Sequence, residues 1–161
     1  DFEALQEENS DTVAWIRFDE PAVISYPVVK GMDNDLYLTK TFSASDNKLG
    51  AIFMDYRNAS SFSDRNTIIY GHNLKVGGEM FSQLNTYGDE AFYKEHPYFY
   101  IYTPDGKTRT YQVFVAGVVS DQRKTIRWSL NRMKHIWHIW KHVKTVRHTR
   151  RMRVSARAPV S

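Results

Sequence analysis

Residues 67–73 read Thr-Ile-Ile-Tyr-Gly-His-Asn, a β-prone run that stops abruptly at Gly71-His72-Asn73. Four β-branched or aromatic residues in succession suit a strand. The glycine after them would let a substrate approach closely. The stretch therefore predicts a short strand with an ionisable ring at its end. Segments of the same kind recur outward from it, at 13–18, 24–29, 50–54, 98–102 and 110–119. Pro104-Asp105-Gly106-Lys107 separates the last two as a hairpin turn. Residues 55–66 are rich in Ser, Asn and Asp and predict a polar loop. Phe2 and Leu5 share a helical face, so residues 1–11 read as the end of a helix. Met80, Phe81 and Leu84 predict a helical turn after Gly77-Gly78. Six short strands with two helical inserts predict a mainly β barrel or sandwich.

Charge divides the chain at about residue 121. Residues 1–121 hold all 18 Asp and Glu against 10 Lys and Arg, a net of −8. Residues 122–161 hold the other 12 Lys and Arg and no acid, a net of +12. The overall +4 thus averages two unlike segments, and a basic pI by itself does not point to nucleic acid or an anionic membrane. With 161 residues, 42% of them apolar, there is material for a single core. No cysteine is present, which excludes disulfides, thiolate metal sites and a cysteine nucleophile within these residues. The longest nearly continuous apolar run, 113–119, falls well short of the roughly 18 residues of a membrane span. The chain starts at Asp1 rather than Met, so any signal or membrane anchor is expected to lie outside it.

His72 admits two readings from spacing alone. It is either a hydrogen-bonded structural histidine at a strand end or an acid–base group held at a rim. The surrounding words are more specific. Thr67 to Asn73 is followed in order by Gly78-Glu79-Met80-Phe81-Ser82-Gln83-Leu84, Phe92-Tyr93-Lys94-Glu95-His96-Pro97 and Ile101-Tyr102-Thr103-Pro104-Asp105-Gly106. Upstream stand Trp15-Ile16, Tyr26-Pro27-Val28-Val29 and Gly50-Ala51-Ile52-Phe53-Met54-Asp55-Tyr56-Arg57-Asn58. This ordered series, over residues 1–121, resembles the class B sortases.

The resemblance implies a sortase-type β-barrel on the extracellular face of the cell membrane. Sortases are cysteine transpeptidases: a thiolate attacks the threonine carbonyl of a C-terminal sorting motif, and the acyl group passes to a cell-wall or pilin amine. A histidine donates and accepts the proton while an arginine stabilises the oxyanion. By motif match His72 is that histidine, whereas His96, ahead of Pro97, is read as structural. The implied partners are proteins bearing a sorting motif and an amine acceptor, with no cofactor, no metal and no nucleic acid. The later family motifs, a Thr-Leu-Ser/Thr-x-Cys strand and a strand carrying the arginine, have no match after residue 121. The expected architecture is therefore an incomplete barrel over 1–121, inactive for want of the nucleophile, followed by a non-homologous basic tail over 122–161.

For that tail the stripe Met133, Ile136, Trp137, Trp140 and Val143 predicts a basic amphipathic helix. Trp128, Trp137 and Trp140 could stack bases. His135, His138 and His142 could share a helical face for a metal, and the stripe with its basic face could lie on a membrane. These describe the alternative, a non-catalytic surface or binding protein whose tail contacts anionic membrane or nucleic acid. The genetic code favours a different origin. Residues 133–142, Met-Lys-His-Ile-Trp-His-Ile-Trp-Lys-His, use amino acids with few codons. Shifted one way, the Met133–Lys134 junction must read TGA, a stop. Shifted the other way, the stretch stays open as Glu, Thr/Ala, Tyr/His, Leu/Met, Ala, Tyr/His, Leu/Met, Glu, Thr/Ala. That peptide is acidic and helix-prone, and looks like a helix that sortases of this class carry between their sixth and seventh strands. Residues 122–161 are accordingly read as out-of-frame translation.

Overall fold

The computed structural model describes residues 1–21, 24–64, 66–73, 80–116, 136–141 and 150–155, with 114–115 and the last two segments as backbone only. Six strands run from residue 12 to 115: β1 Thr12–Phe18, β2 Ile24–Val29, β3 Phe53–Met54, β4 Ile68–His72, β5 Tyr98–Tyr102 and β6 Thr108–Val115. Each predicted β-prone segment between 13 and 119 therefore contains a strand, 50–54 only at its last two residues and 110–119 as far as residue 115, with 117–119 outside the described residues, and the mainly β class holds. β1 sits antiparallel between β2 and β5, with Trp15 opposite Pro27 on one side and Tyr102 on the other. β5 and β6 form the hairpin around residues 104–107. β2 joins β3 in parallel through Val29 and Phe53, and β3 joins β4 antiparallel.

Those six strands make a curled wall whose free edges are β4 and β6. Two further strands come from the basic segment, β7 Ile136–Lys141 and β8 Arg150–Ser155. β7 pairs antiparallel with β4, placing Ile136 opposite His72, while β8 pairs with β7 and runs parallel to β6. The strand order closes as β1-β2-β3-β4-β7-β8-β6-β5. The helix predicted from the stripe 133–143 is thus a strand over Ile136–Lys141. The Ile-Trp-His-Ile-Trp run is as suited to a strand as to a helical stripe, and unpaired N–H and C=O groups along β4 select the strand. Trp128, His135 and His142 lie outside the described residues.

Alternation sorts the wall into two faces. Ala14, Ile16, Phe18, Ile69, Phe99, Ile101 and Tyr111 are at most 2% exposed and fill the barrel, where Phe18 stacks on Phe99 at 4.5 Å. A second cluster, Val29, Tyr37, Ala51, Phe53 and Tyr70, is buried outside the barrel. The short helix α2, Leu36–Thr39, carries Tyr37 into that cluster. Gly50 makes this packing possible: its φ is +59°, and a Cβ would run into the carbonyls of Tyr37 and Leu38. Two other helices complete the description, α1 Phe2–Glu8 and α3 Glu90–Glu95, capped by the side chains of Asp1 and Asp89. The helical turn expected after Gly77-Gly78 is a 3₁₀ helix, Phe81–Gly88.

Candidate functional site

β4 carries His72 to its C-terminal end because Ile69 and Tyr70 bury on opposite faces and fix which way the last residues point. Tyr70 and His72 fall on the same face, two residues apart. The His72 ring is half-buried, with Nε2 3.3 Å from the Leu38 carbonyl oxygen of α2. In the tautomer protonated at Nε2 the ring donates to that carbonyl. A proton-transfer group needs this combination of an anchored ring and partial access to solvent.

The chain beyond His72 is held by a small polar frame. Asn73 forms an isolated antiparallel bridge with Met80, and residues 74–79 between them are outside the described set. The Met80 N–H donates to the Tyr26 hydroxyl at 3.1 Å. Asn85 donates to the Asn73 side-chain oxygen at 3.0 Å and to the Ser82 carbonyl at 2.7 Å. Beneath this frame, the ring of Phe81, wholly buried, sits directly on Gly71, where a Cβ would be only 2.5 Å from its Cδ2. Gly71 is therefore required by close packing against Phe81, a reason different from the approach of a substrate that the run 67–73 suggested. Gly71→Ala is expected to push Phe81 and its 3₁₀ helix outward and to lower stability by about 1–3 kcal/mol. A urea unfolding curve would check this, and an unchanged midpoint would show that the Phe81 ring can yield freely.

His96 is placed differently. It caps the C-terminus of α3, its ring lies 4.9 Å from Phe92, and its carbonyl accepts from the Tyr87 hydroxyl at 2.8 Å. These contacts suit the structural role expected of it. Among the described residues, no group of three or more His, Cys, Asp or Glu could hold a metal ion. No helix among them is long and apolar enough to cross a membrane.

The sequence did not point to a polar cluster just behind β4. The Asp55 side chain is 1% exposed and accepts from Asn34 at 3.0 Å, from the Tyr70 hydroxyl at 2.8 Å and from Arg57 Nε at 2.8 Å. The Arg57 guanidinium reaches its other oxygen as well, and the Arg57 backbone N–H donates at 3.0 Å. Burial works to raise the Asp55 carboxyl, but the donors outweigh it and hold it down at about 2. Burial and that neighbouring carboxylate push the Tyr70 phenol well above its usual range. The only signal for this cluster in the sequence is the polar run Asp55-Tyr56-Arg57-Asn58, which reads equally well as loop. The cluster ties the 31–35 turn, the β3 exit and β4 together two residues short of His72.

Comparison with known proteins adds the following. The sortase domain family matches residues 20–154, a span that crosses the charge break at 121. Sortase B of Listeria monocytogenes is 44% identical over 95 residues, covering 59% of this chain and 38% of that protein. Sortase B of Staphylococcus aureus is 37% identical over 114 residues, covering 71% of this chain and 45% of that protein. The chain thus spans less than half the length of these curated relatives. A Bacillus anthracis crystal structure described as similar to sortase B superposes with a TM-score of 0.65 at 40% identity, covering 71% of this chain and 52% of that one.

Proposed function

The chain belongs to the sortase family, with sortases of class B as its relatives, and we propose that residues 1–121 are the first part of a class B transpeptidase barrel. His72 is its proton donor and acceptor. The observation that carries this reading is the placement of His72 at the half-buried end of β4, fixed through Leu38 on one side and the Gly71–Phe81 packing on the other. In the family reaction a thiolate adds to the threonine carbonyl of a sorting motif. The C–N bond then breaks with a proton delivered to the leaving amine, and a thioester remains. An incoming amine reverses these steps and returns its proton to the same imidazole. On this reading the substrates are surface proteins with a C-terminal sorting motif, the acceptor is a cell-wall or pilin amine, and the place of action is the outer face of the membrane.

The 161 residues supply the imidazole but no thiol, so the chain as it stands forms no thioester. The charge break and the codon constraint on 133–142 support a shift of reading frame near residue 121, while the family match that runs on to residue 154 weighs against it. Re-sequencing the DNA from codon 115 to a few hundred bases beyond codon 161 tests this. A single-base change that opens a frame through a helix to a Thr-Leu-x-x-Cys strand and a later arginine would establish the transpeptidase reading. An undisturbed frame as written would sink the frameshift and favour the second reading, a non-catalytic surface protein. That second reading draws on the pairing of β7 and β8 onto the free edges of β4 and β6.

A further inference from the structure

His72 leans on a helix too short to hold itself. α2 has four residues, Leu36–Thr39, well below the length at which backbone hydrogen bonds sustain a helix in water. Its place is therefore set by what grips it, and those grips lie far from His72 in sequence. The hydroxyl of the buried Tyr37 donates to the Asp11 carboxylate at 2.8 Å and accepts from the Asn9 side chain at 3.0 Å, in the turn between α1 and β1. The Tyr37 carbonyl accepts from the Ala51 N–H at 3.0 Å, and the Thr39 carbonyl from the Asn47 N–H at 2.9 Å. Between those two bonds Gly50 lies against the back of α2. A Cβ there would fall 2.7 Å from the Leu38 carbonyl oxygen and closer still to that of Tyr37. Ahead of the helix, Asn34 is tied to Asp55 at 3.0 Å.

These grips converge on the Leu38 carbonyl, the group that stands 3.3 Å from Nε2 of His72. A carbonyl oxygen can only accept. Held still, it selects the ring tautomer that carries hydrogen on Nε2 and fixes the ring's orientation, the task a buried carboxylate performs in Ser-His-Asp enzymes. We propose that Tyr37 and Gly50 are positioning residues for His72. Tyr37 acts by pinning α2 to the Asn9–Asp11 turn, and Gly50 by leaving room for the Leu38 carbonyl to face the ring. A tyrosine that served the core alone would need its ring and not its hydroxyl. Such positioning has a use because a proton-transfer group must present a fixed tautomer, so the proposal rests on the reading of His72 given above.

The test is the imidazole nitrogen NMR spectrum of the full chain at about pH 8, where a histidine ring is neutral. The Nε2–H form of His72 should dominate. Tyr37→Phe keeps the packed ring and removes the hydroxyl. It should raise the ratio of Nδ1–H to Nε2–H about fivefold, which is what one net hydrogen bond is worth. Gly50→Ala displaces the carbonyl itself and should raise the ratio at least as far. Thr103→Val removes another buried hydroxyl, bonded to Asp105 at the β5–β6 hairpin, and should leave the ratio unchanged. Where Gly50→Ala fails to fold, Tyr37→Phe and Asp11→Ala decide, since each breaks the same bond from one side. A ratio unmoved by Tyr37→Phe in a folded protein, or moved equally by Thr103→Val, would overturn the proposal. Either result leaves the proton-transfer role of His72 standing. Conversely, a chain in its restored frame that is indifferent to His72→Ala removes that role and leaves these spectra unchanged.

Discussion

Asp55→Ala is expected to destabilise the protein at pH 7 by about 3 kcal/mol, because it strands several donors at once. The Tyr70 hydroxyl and the Asn34 amide are buried and lose their acceptor; each orphaned group costs about 1–3 kcal/mol. Arg57 adds less, since its side chain is 30% exposed and can turn to water. The same carboxylate predicts a pH dependence. Its folded value of about 2 lies below the ordinary 3.8, so the folded state binds its proton less readily than the unfolded state. A depressed acid contributes stability above the unfolded value and loses it as pH falls toward the folded one. The contribution, roughly 2 kcal/mol, should be present above about pH 4 and lost toward pH 2. Asp55→Asn removes the titrating group and should flatten that part of the profile. Urea unfolding of both proteins between pH 7 and pH 2.5 checks this; parallel profiles would show that other carboxylates set the acid limb.

How much of this arrangement could be read from sequence depends on the distance between partners. β4 was legible because Thr67 to Tyr70 are consecutive strand formers and Gly71 ends them. The hairpin of β5 and β6 was legible because residues 104–107 carry turn chemistry. Helix α3 was not singled out, being six residues whose helical support is an Asp89 cap and a Glu90–Lys94 pair at 2.8 Å. The Asp55 cluster was illegible for another reason: Asn34 and Tyr70 lie 21 and 15 residues away, so no local pattern ties them. At 136–141 two periodicities coexist, with Ile136, Trp137, Ile139 and Trp140 fitting a helical stripe and a β run alike. Local pattern could not choose between them, and the free edge of β4 did. His72 shows the remaining gap, since spacing left its role open and the word order around it supplied the proposal.

The largest expected effect concerns acyl transfer itself. With a sorting-motif peptide and an excess of amine, this chain should give no transpeptidation above the uncatalysed background. A positioned general base is worth about 10²–10⁴-fold where it assists a nucleophile, but His72 has no thiol to deprotonate, and no arginine here can be matched to the oxyanion role. Replacing His72 by Ala in this chain should accordingly leave the background unchanged. In the chain encoded after the frame is restored, the peptide should be cleaved at threonine and the acyl group joined to the amine. There His72→Ala should cost on the order of 10⁴-fold or more, because nucleophile and base act as one unit and losing either disables both. Mass spectrometry of the product, with a thiol-specific probe on the restored chain, reads both steps. Turnover by the cysteine-free chain, or a restored chain indifferent to His72→Ala, would remove His72 from the proton-transfer role. If both chains behave as expected, one imidazole at the end of β4 is shown to be necessary for the chemistry and insufficient without the strand that a frame change replaced.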